Sequence, residues 1–293
     1  MPELRFDPLG RRQILLAPER AQRGAPTWEP FEPDPAPCDF CGGREGRTPA
    51  ETFSIRDSET AADTPGWSVR VVPNLYPATA LHEVVIHTPD HYEHFEDQDL
   101  AHRVDVLRAY RSRIRSAPTA AVVAVWNRGK SAGASRSHPH GQIFGLDVVP
   151  PTLEREIKAF GEKDDLLPAM SDDPDLCVAE RDGARIVAHP VPFVAEELLI
   201  VPPYNTRLEG LGDGQLELAA DLLAETMERL LRAFGRGIPF NLVVHTAPRG
   251  VERFHWHAHL MPRTAVWGGL EMGAELPIVA ADPYETARRL RGS

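Results

Sequence analysis

The chain has 293 residues, of which 42% are hydrophobic and 26% charged, and its formal net charge is −11. These proportions exclude wholesale disorder and suit one large domain or two of moderate size. The acidic balance argues against nucleic-acid and anionic-membrane binding. The sequence has no apolar run of about 18 residues, so no transmembrane helix is expected. Three Cys cannot build a disulfide framework, so a reducing, cytoplasmic location is predicted.

The first half of the chain predicts strands around a single helix. Residues 18–37 suggest an extended arm, 38–49 a turn, and 69–74 and 82–86 two strands. Leu100, Val104, Leu107 and Ile114 share one helical face and predict a helix between 97 and 116. A strand over 120–126, a Gly/Ser loop over 127–137 and a strand over 138–144 follow.

The second half repeats this order after a charged connector over 150–182 that predicts one short helix. Strands are expected over 184–187 and 197–201, a helix over 216–234 that stops at Gly235, and strands over 240–245 and 254–260. Residues 82–91 align with 196–205 at an offset of 114, and His138 and His140 align with His257 and His259 at an offset of 119. The pattern predicts an internal duplication and an α+β fold with antiparallel sheets, divided into 1–150 and 151–293.

Cys38-x-x-Cys41 has the spacing of half a zinc site, because two thiolates in a tight turn can hold a tetrahedral ion. Cys177 stands alone, so the remaining ligands would have to be His: His91 and one of the pair His138 and His140. A thiol–disulfide redox pair and two incidental surface Cys are the alternatives.

His138-Pro-His140-Gly-Gln142 is a sharper signal. Residues i and i+2 of a strand share a face, so one imidazole can be held by metal while the other attacks phosphorus. Gln142 lies on the same face and can hydrogen-bond a phosphoryl oxygen, and Ser135 with the loop amides near Gly133 can cradle the phosphate. The alternative is two partly buried His on an edge strand.

The segment Asn127-x-Gly-x-x-x-Gly-Ala-Ser135-x-x-His-Pro-His-Gly-Gln142 closely resembles the active-site signature of galactose-1-phosphate uridylyltransferases, in the histidine-triad superfamily. The motifs Pro18-Glu-Arg-Ala-x-Arg23, Arg70-Val-Val-Pro-Asn74 and Thr88-Pro-Asp-His91 extend the resemblance along the chain. It implies two tandem histidine-triad-like halves, each an antiparallel sheet with flanking helices, the first catalytic and the second degenerate. It also implies an enzyme of galactose and carbohydrate metabolism that moves a nucleoside monophosphate, expected to be UMP, from a nucleoside diphosphate sugar to a sugar 1-phosphate.

The resemblance assigns roles to individual residues. His140 would carry the nucleotidyl group in a ping-pong reaction, Gln142 would stabilise that intermediate, and the family's zinc ligands match Cys38, Cys41, His91 and His138. Residues expected to bind substrate are Arg20, Arg23, Asn74, Asn127, Gly133, Ser135 and Glu271. A second metal, iron or zinc, is expected at Glu156, His245, His257 and His259, with a hydrogen-bonded His cluster as the alternative. A homodimer is also implied, with residues 267–272 reaching the partner's sugar site.

The sequence departs from the family at several positions. Leu75 follows Asn74 where some members carry Asp, the Gln expected a few residues after Glu271 is absent near Pro277, and Asn205 stands where the second half might have kept a His. These departures leave the base and the sugar open. A phosphorylase or hydrolase using the same His140 is therefore the alternative activity, and a non-catalytic, zinc-stabilised nucleotide-binding module is the third hypothesis.

Overall fold

A computed structural model describes residues 2–23, 28–203 and 206–293, without the side chain of Arg23. The expectations for the Arg23 side chain and for Asn205 therefore lie outside the described residues. The described chain is a mixed α+β fold of two antiparallel-rich sheets and surrounding helices, as the sequence predicts. No helix within the described ranges is both long and apolar enough to cross a membrane.

The large sheet has ten strands that are all antiparallel to their neighbours. These strands are β3 Phe53–Arg56, β4 Trp67–Pro73, β5 Leu81–Ile86, β6 Ala121–Arg128, β7 His140–Leu146, β8 Cys177–Arg181, β9 Ala184–Ala188, β10 Leu198–Val201, β11 Phe240–His245 and β12 His257–Pro262. A small sheet contains β1 Glu3–Asp7, β2 Arg12–Leu16 and β13 Ile278–Val279. In the small sheet β1 pairs antiparallel with β2, while β13 joins β2 in parallel.

The strand order of the large sheet is β3-β4-β5-β7-β6-β11-β12-β10-β9-β8. The order within its first five strands reappears, mirrored, in its last five. The two sets meet where β6 pairs antiparallel with β11, with Asn127 opposite Asn241. This topology agrees with the predicted duplication and joins both sets of strands into one continuous sheet.

The predicted offset of 114 residues between β5 and β10 is wrong by one residue. Ile86 lies opposite His140, and Leu199 lies opposite the corresponding His259. The offset pairs Ile86 with Ile200, whose side chain points into the core on the other face of the sheet. A shift of one residue turns every side chain of a strand to the opposite face, so the repeat holds with Leu199 as the partner of Ile86.

Two long helices cover one face of the large sheet. They are α1 Leu100–Ser116, which Asp99 caps by accepting from the His102 amide, and α4 Asp213–Phe234. The helix α4 ends at Gly235, whose φ of 91° suits glycine and terminates the helix as the sequence predicts. Apolar residues of both helices pack on β4–β7 and β9–β12 and form the main core.

The opposite face is covered unevenly. The helices α2 Pro151–Glu162 and α3 Leu166–Met170 pack over the strands of the second half. The predicted connector thus holds two helices, followed by β8, where one short helix was expected. Two further helices, α5 Gly269–Ala274 and α6 Pro283–Arg291, lie near the end of the described chain. Because α2 and α3 cover mainly the strands of the second half, this face of the first-half strands is available to the Cys and His residues of the predicted site.

Candidate active site and metal clusters

The strand β7 carries the candidate nucleophile on a defined face of the sheet. Gly141, Ile143 and Gly145 are buried toward α1, whereas His140 and Gln142 alternate with them on the other face. His138 lies in the bend just before β7, so the predicted strand begins two residues later than expected. The two residues His140 and Gln142 share a face as the sequence predicts.

Four predicted zinc ligands lie together beside this strand. The Sγ atoms of Cys38 and Cys41 are 3.8 Å apart, and the Nδ1 atom of His138 is 3.6 Å from each sulfur. The Nδ1 atom of His91 is 3.4 Å from the Cys41 sulfur. A tetrahedral zinc with Zn–S of about 2.3 Å and Zn–N of about 2.0 Å separates two sulfurs by about 3.8 Å and sulfur from nitrogen by about 3.5 Å. The four donor atoms therefore have the spacing that a zinc ion requires.

The outer nitrogens of these two imidazoles fix their tautomers. The Nε2 of His138 donates to the Thr88 carbonyl at 2.8 Å, and the Nε2 of His91 donates to the Asp34 carbonyl at 2.8 Å. Each Nδ1 is then unprotonated and directs its lone pair toward the two sulfurs. Burial and the neighbouring Cys41 raise the pKa of the Cys38 thiol, so metal binding at this cluster would release protons.

His140 is buried, and its ring orientation is fixed by the main chain. Its Nδ1 donates to the His138 carbonyl at 2.7 Å, which leaves the lone pair on Nε2. Burial lowers the pKa of His140, while the hydrogen bond to the carbonyl opposes that shift. A neutral imidazole with a free Nε2 is the form that can act as a nucleophile.

Gln142 and Asn74 both approach the same ring nitrogen of His82. The Oε1 of Gln142 lies 2.7 Å from Nε2 of His82, and Nδ2 of Asn74 lies 3.2 Å from the same nitrogen. The Oδ1 of Asn74 accepts from the Tyr76 amide at 2.9 Å. The structure thus brings the predicted residues Gln142 and Asn74 together through His82, a residue to which the sequence assigned no role.

The loop before β7 borders a cleft of about 550 Å³, lined by Ser135, Arg136, Ser137 and the segment around Phe31. Arg136 and Ser137 also line a small cavity of about 40 Å³ together with His140 and Asn127. Gly133 ends the turn in this loop with a φ of 87°. The predicted phosphate-binding loop therefore lies next to His140, with Ser135 on the wall of the larger cleft.

The second predicted ligand set is also assembled, on β11, β12 and α2. Glu156 Oε1 is 2.9 Å from His245 Nδ1, and its Oε2 is 3.7 Å from His257 Nε2. The Nδ1 of His257 donates to the His255 carbonyl and that of His259 donates to Glu197, so both Nε2 atoms are unprotonated.

Three buried atoms of the second set lack a hydrogen-bond partner: Glu156 Oε2, His257 Nε2 and His259 Nε2. Burial alone would raise the pKa of the Glu156 carboxyl, but His245 and His257 lower it well below its usual value. Buried, unpartnered acceptors around one point are costly without a cation. The donor set therefore fits a metal ion better than a hydrogen-bonded His cluster.

The described contacts do not connect the other predicted site residues to either ligand cluster. Arg20 lies exposed in the 3-10 turn Pro18–Arg23. Glu271 lies in α5, where its carboxylate accepts the Gly268 amide at 2.9 Å. Trp267, just before that helix, packs edge-on against Phe193 at 4.8 Å between ring centroids.

Three polar residues of the site carry no motif and were missed from the sequence. They are His82, Glu197, which orients His259, and Asn241, which donates to Asn127. A Glu immediately before the apolar strand β10 and a His at the second position of β5 were the available signals. Neither indicates a partner without knowledge of the strand pairing.

Comparison with known proteins identifies the family. The family model "Galactose-1-phosphate uridyl transferase, N-terminal domain" matches residues 75–150. A protein of Arabidopsis thaliana named ADP-glucose phosphorylase is 30% identical over 99% of this chain and 92% of its own length. The chain belongs to the galactose-1-phosphate uridylyltransferase family.

Other proteins are similar to this chain in sequence or structure over nearly its whole length. A galactose-1-phosphate uridylyltransferase of Thermotoga maritima is 26% identical over 99% of this chain and 98% of its own length. The crystal structure of an ADP-glucose phosphorylase from Arabidopsis thaliana with bound ADP-glucose superposes with a TM-score of 0.86 at 26% identity, covering 100% of this chain and 99% of that one. The protein is accordingly an enzyme, a nucleotidyltransferase of the uridylyltransferase family.

Proposed function

We propose that this enzyme transfers a nucleoside monophosphate from a nucleoside diphosphate sugar to a phosphate-containing acceptor through a covalent nucleotidyl-His140 intermediate. The observation that carries the proposal is the hydrogen bond from His140 Nδ1 to the His138 carbonyl, 2.7 Å long. It leaves the nucleophilic lone pair on Nε2 of a buried, neutral ring.

In the first step, the Nε2 lone pair of His140 attacks the α-phosphorus. A phosphorus–nitrogen bond forms, the bond from the α-phosphorus to the bridging oxygen breaks, and the sugar 1-phosphate leaves with that electron pair. The ring becomes cationic, and the His138 carbonyl that accepts Nδ1–H stabilises the positive charge. In the second step, an acceptor oxygen attacks the same phosphorus, the phosphorus–nitrogen bond breaks, and neutral His140 is restored.

Residues around His140 take supporting roles in the proposal. Gln142 donates to the phosphoryl group during transfer, and Ser135 with the loop around Gly133 receives the phosphates. Asn74, Asn127 and the Arg20–Arg23 segment contact the nucleotide, as the family resemblance implies.

Metal ions belong to the same proposal. Zinc at Cys38, Cys41, His91 and His138 would fix the segment that presents His140, since His138 is both a ligand and the residue whose carbonyl orients that ring. Iron or zinc at Glu156, His245, His257 and His259 would stabilise the second half. Neither ion enters a chemical step.

The acceptor has three candidates. A sugar 1-phosphate acceptor and UMP transfer follow from the sequence motif. The 30% identity to a protein named ADP-glucose phosphorylase favours inorganic phosphate as acceptor and AMP as the transferred group. The departure near Pro277, where a sugar-contacting Gln is absent, leaves the sugar open in either case. Water as the acceptor would make the enzyme a hydrolase.

We also propose a homodimer in the cytoplasm. The segment from Val266 to Met272 exposes apolar side chains, with 80% of Val266 and 69% of Met272 accessible. A partner chain would cover them and receive Glu271 near its sugar site, as the family resemblance implies.

The test incubates the purified protein separately with UDP-, ADP-, GDP- and dTDP-glucose and records intact mass at neutral to alkaline pH, where a histidyl phosphoramidate survives. We expect one nucleotidyl adduct, whose mass names the base. Adding phosphate or a hexose 1-phosphate to the adduct then identifies the acceptor by which one discharges it.

Two variants separate chemistry from structure. His140→Ala is expected to lose the adduct while keeping zinc, whereas Cys38→Ala is expected to lose zinc and stability together. Zinc content by elemental analysis and the thermal midpoint accompany each mass spectrum. Full turnover by His140→Ala would refute the covalent mechanism.

A further inference from the structure

His82 is held in one orientation by contacts on several sides. Its side chain is 7% exposed and stacks on Phe144 at 4.1 Å between ring centroids, with 30° between the ring planes. The backbone amide of Ala78 donates to its Nδ1 at 3.0 Å. The opposite edge of the ring points at Gln142.

The Ala78 contact decides which ring nitrogen of His82 carries the proton. A backbone amide can only donate, so Nδ1 of His82 must be the acceptor and is unprotonated. The proton of the neutral ring then lies on Nε2, which is a donor. The assignment rests on a main-chain group whose orientation is fixed by the fold.

The tautomer of His82 in turn decides which way the Gln142 amide faces. The atom 2.7 Å from Nε2 must be an acceptor, so it is Oε1, and the NH₂ group of Gln142 is directed away from His82. Gln142 lies two residues after His140 on the same face of β7. We propose that His82 is a positioning residue that holds the Gln142 amide with its NH₂ group toward the group transferred by His140; this rests on the proposed function.

The same tautomer has a consequence for Asn74. Its Oδ1 accepts from the Tyr76 amide, so the atom 3.2 Å from Nε2 of His82 is its Nδ2. Both atoms are donors, and this close approach is no hydrogen bond. The Nδ2 protons of Asn74 are therefore available to an acceptor on a bound nucleotide. His82 thus sets the donor direction of the Gln142 amide, while the Tyr76 amide sets that of Asn74 beside it.

The test compares the rates of adduct formation for His82→Phe and His82→Gln with wild type. His82→Phe keeps the ring stacked on Phe144 but cannot donate to Gln142. We expect the maximal rate constant for adduct formation to fall about 10- to 100-fold, with a much smaller change in the donor concentration that gives half of that rate. His82→Gln places an amide donor near the former Nε2 position, and we expect it to recover part of that loss.

A double-mutant cycle distinguishes positioning from packing. In a Gln142→Ala background, His82→Phe should cost little further rate, because the amide that it positions is already absent. Gln142→Glu keeps the acceptor for His82 but lacks the donor, so it should be as slow as Gln142→Ala. Additive effects of the two substitutions, or a wild-type rate in His82→Phe, would overturn the proposal.

A second measurement does not depend on activity. Nitrogen-15 spectra of imidazole-labelled protein report the tautomer of His82, identified by its absence in His82→Phe; we expect protonated Nε2. Protonated Nδ1 would overturn the inference whatever the enzyme does. If wild type forms no adduct and releases no nucleoside monophosphate with any donor, the proposed function fails, and the spectra still decide whether His82 orients Gln142.

Discussion

At the scale of single residues, the two candidate metal-binding clusters differ in which imidazole nitrogen faces the centre. His91 and His138 direct Nδ1 inward, because each Nε2 donates to a main-chain carbonyl. His257 and His259 direct Nε2 inward, because the Nδ1 of His257 donates to a carbonyl and that of His259 donates to Glu197. Hydrogen-bond partners outside each ligand set therefore determine which ring nitrogen faces the centre. Substitutions at those partners would alter a ligand that they do not replace.

His94 predicts a loss of stability in acid. Burial, assisted by the nearby Arg128 guanidinium, lowers the pKa of His94 from 6.5 to about 3. Between those values the unfolded chain binds a proton that the folded chain does not, so stability falls as the pH drops from 6.5 toward 3. From pH 7 to pH 5 this group alone should remove about 2 kcal/mol of unfolding free energy.

The measurement compares urea unfolding of wild type and His94→Phe at pH 7 and pH 5. The variant keeps an aromatic ring against Phe31, which His94 meets edge-on at 6.3 Å between ring centroids. Between pH 7 and pH 5 the unfolding free energy of the variant should fall by about 2 kcal/mol less than that of wild type. Equal losses in both proteins would show that His94 is protonated as readily in the folded state as in the unfolded state.

At the scale of elements, β7 can carry His140 only because its inward positions are small. A Cβ atom built on Gly141 would lie 2.0 Å from Tyr110 Oη and 2.2 Å from Trp126 Cδ1. Both aromatic side chains are buried, so neither can move aside without disturbing the packing of α1 on the sheet. The approach of α1 to β7 thus depends on glycine at that position.

We expect Gly141→Ala to destabilise the fold by about 1–3 kcal/mol or more. Gly161→Ala in α2 is the matched control, because its Cβ meets nothing within 4 Å and alanine is the better helix former by up to about 1 kcal/mol. Calorimetric midpoints of the two variants should therefore move in opposite directions. A Gly141→Ala protein as stable as wild type would mean that the two aromatic rings can shift without cost.

The sequence predicts elements well where the pattern is local and fails where the partner is distant. The periodicity of α4 and its Gly235 stop are confirmed, as is the shared face of His140 and Gln142. One of the two connector helices was missed because apolar residues of α2 and α3, such as Leu153 and Leu167, are buried against strands distant in the chain. His82 was missed for the same reason, since its contact with Gln142 exists only through the pairing of β5 with β7.

At the scale of the whole molecule, the two sets of strands share one sheet and one main core. The strands β6 and β11 pair over six residues at its centre, and α1 and α4 pack on the same continuous face. The boundary predicted at residue 150 therefore separates segments of chain that remain joined by hydrogen bonds and apolar packing. The repeat of secondary structure was readable from the sequence, but the strands that join the two copies were not.

This shared sheet predicts that the described chain unfolds as one unit. We expect a single calorimetric transition for the metal-loaded protein, with equal calorimetric and van't Hoff enthalpies, because β6 and β11 would each lose a partner if either set of strands unfolded first. Two resolved transitions would mean that the 1–150 and 151–293 segments are independently stable.

The late position of β13 in the chain affects the order of events during synthesis. The outer edge of β2 stays unpaired until residue 278 has been made, which at about 5–20 residues per second is tens of seconds later. Over the same interval, the ligands Cys38 to His138 are all synthesised before Glu156, the first residue of the second set, whereas His259 follows later. On the ribosome, the first candidate ligand set is thus complete well before the second.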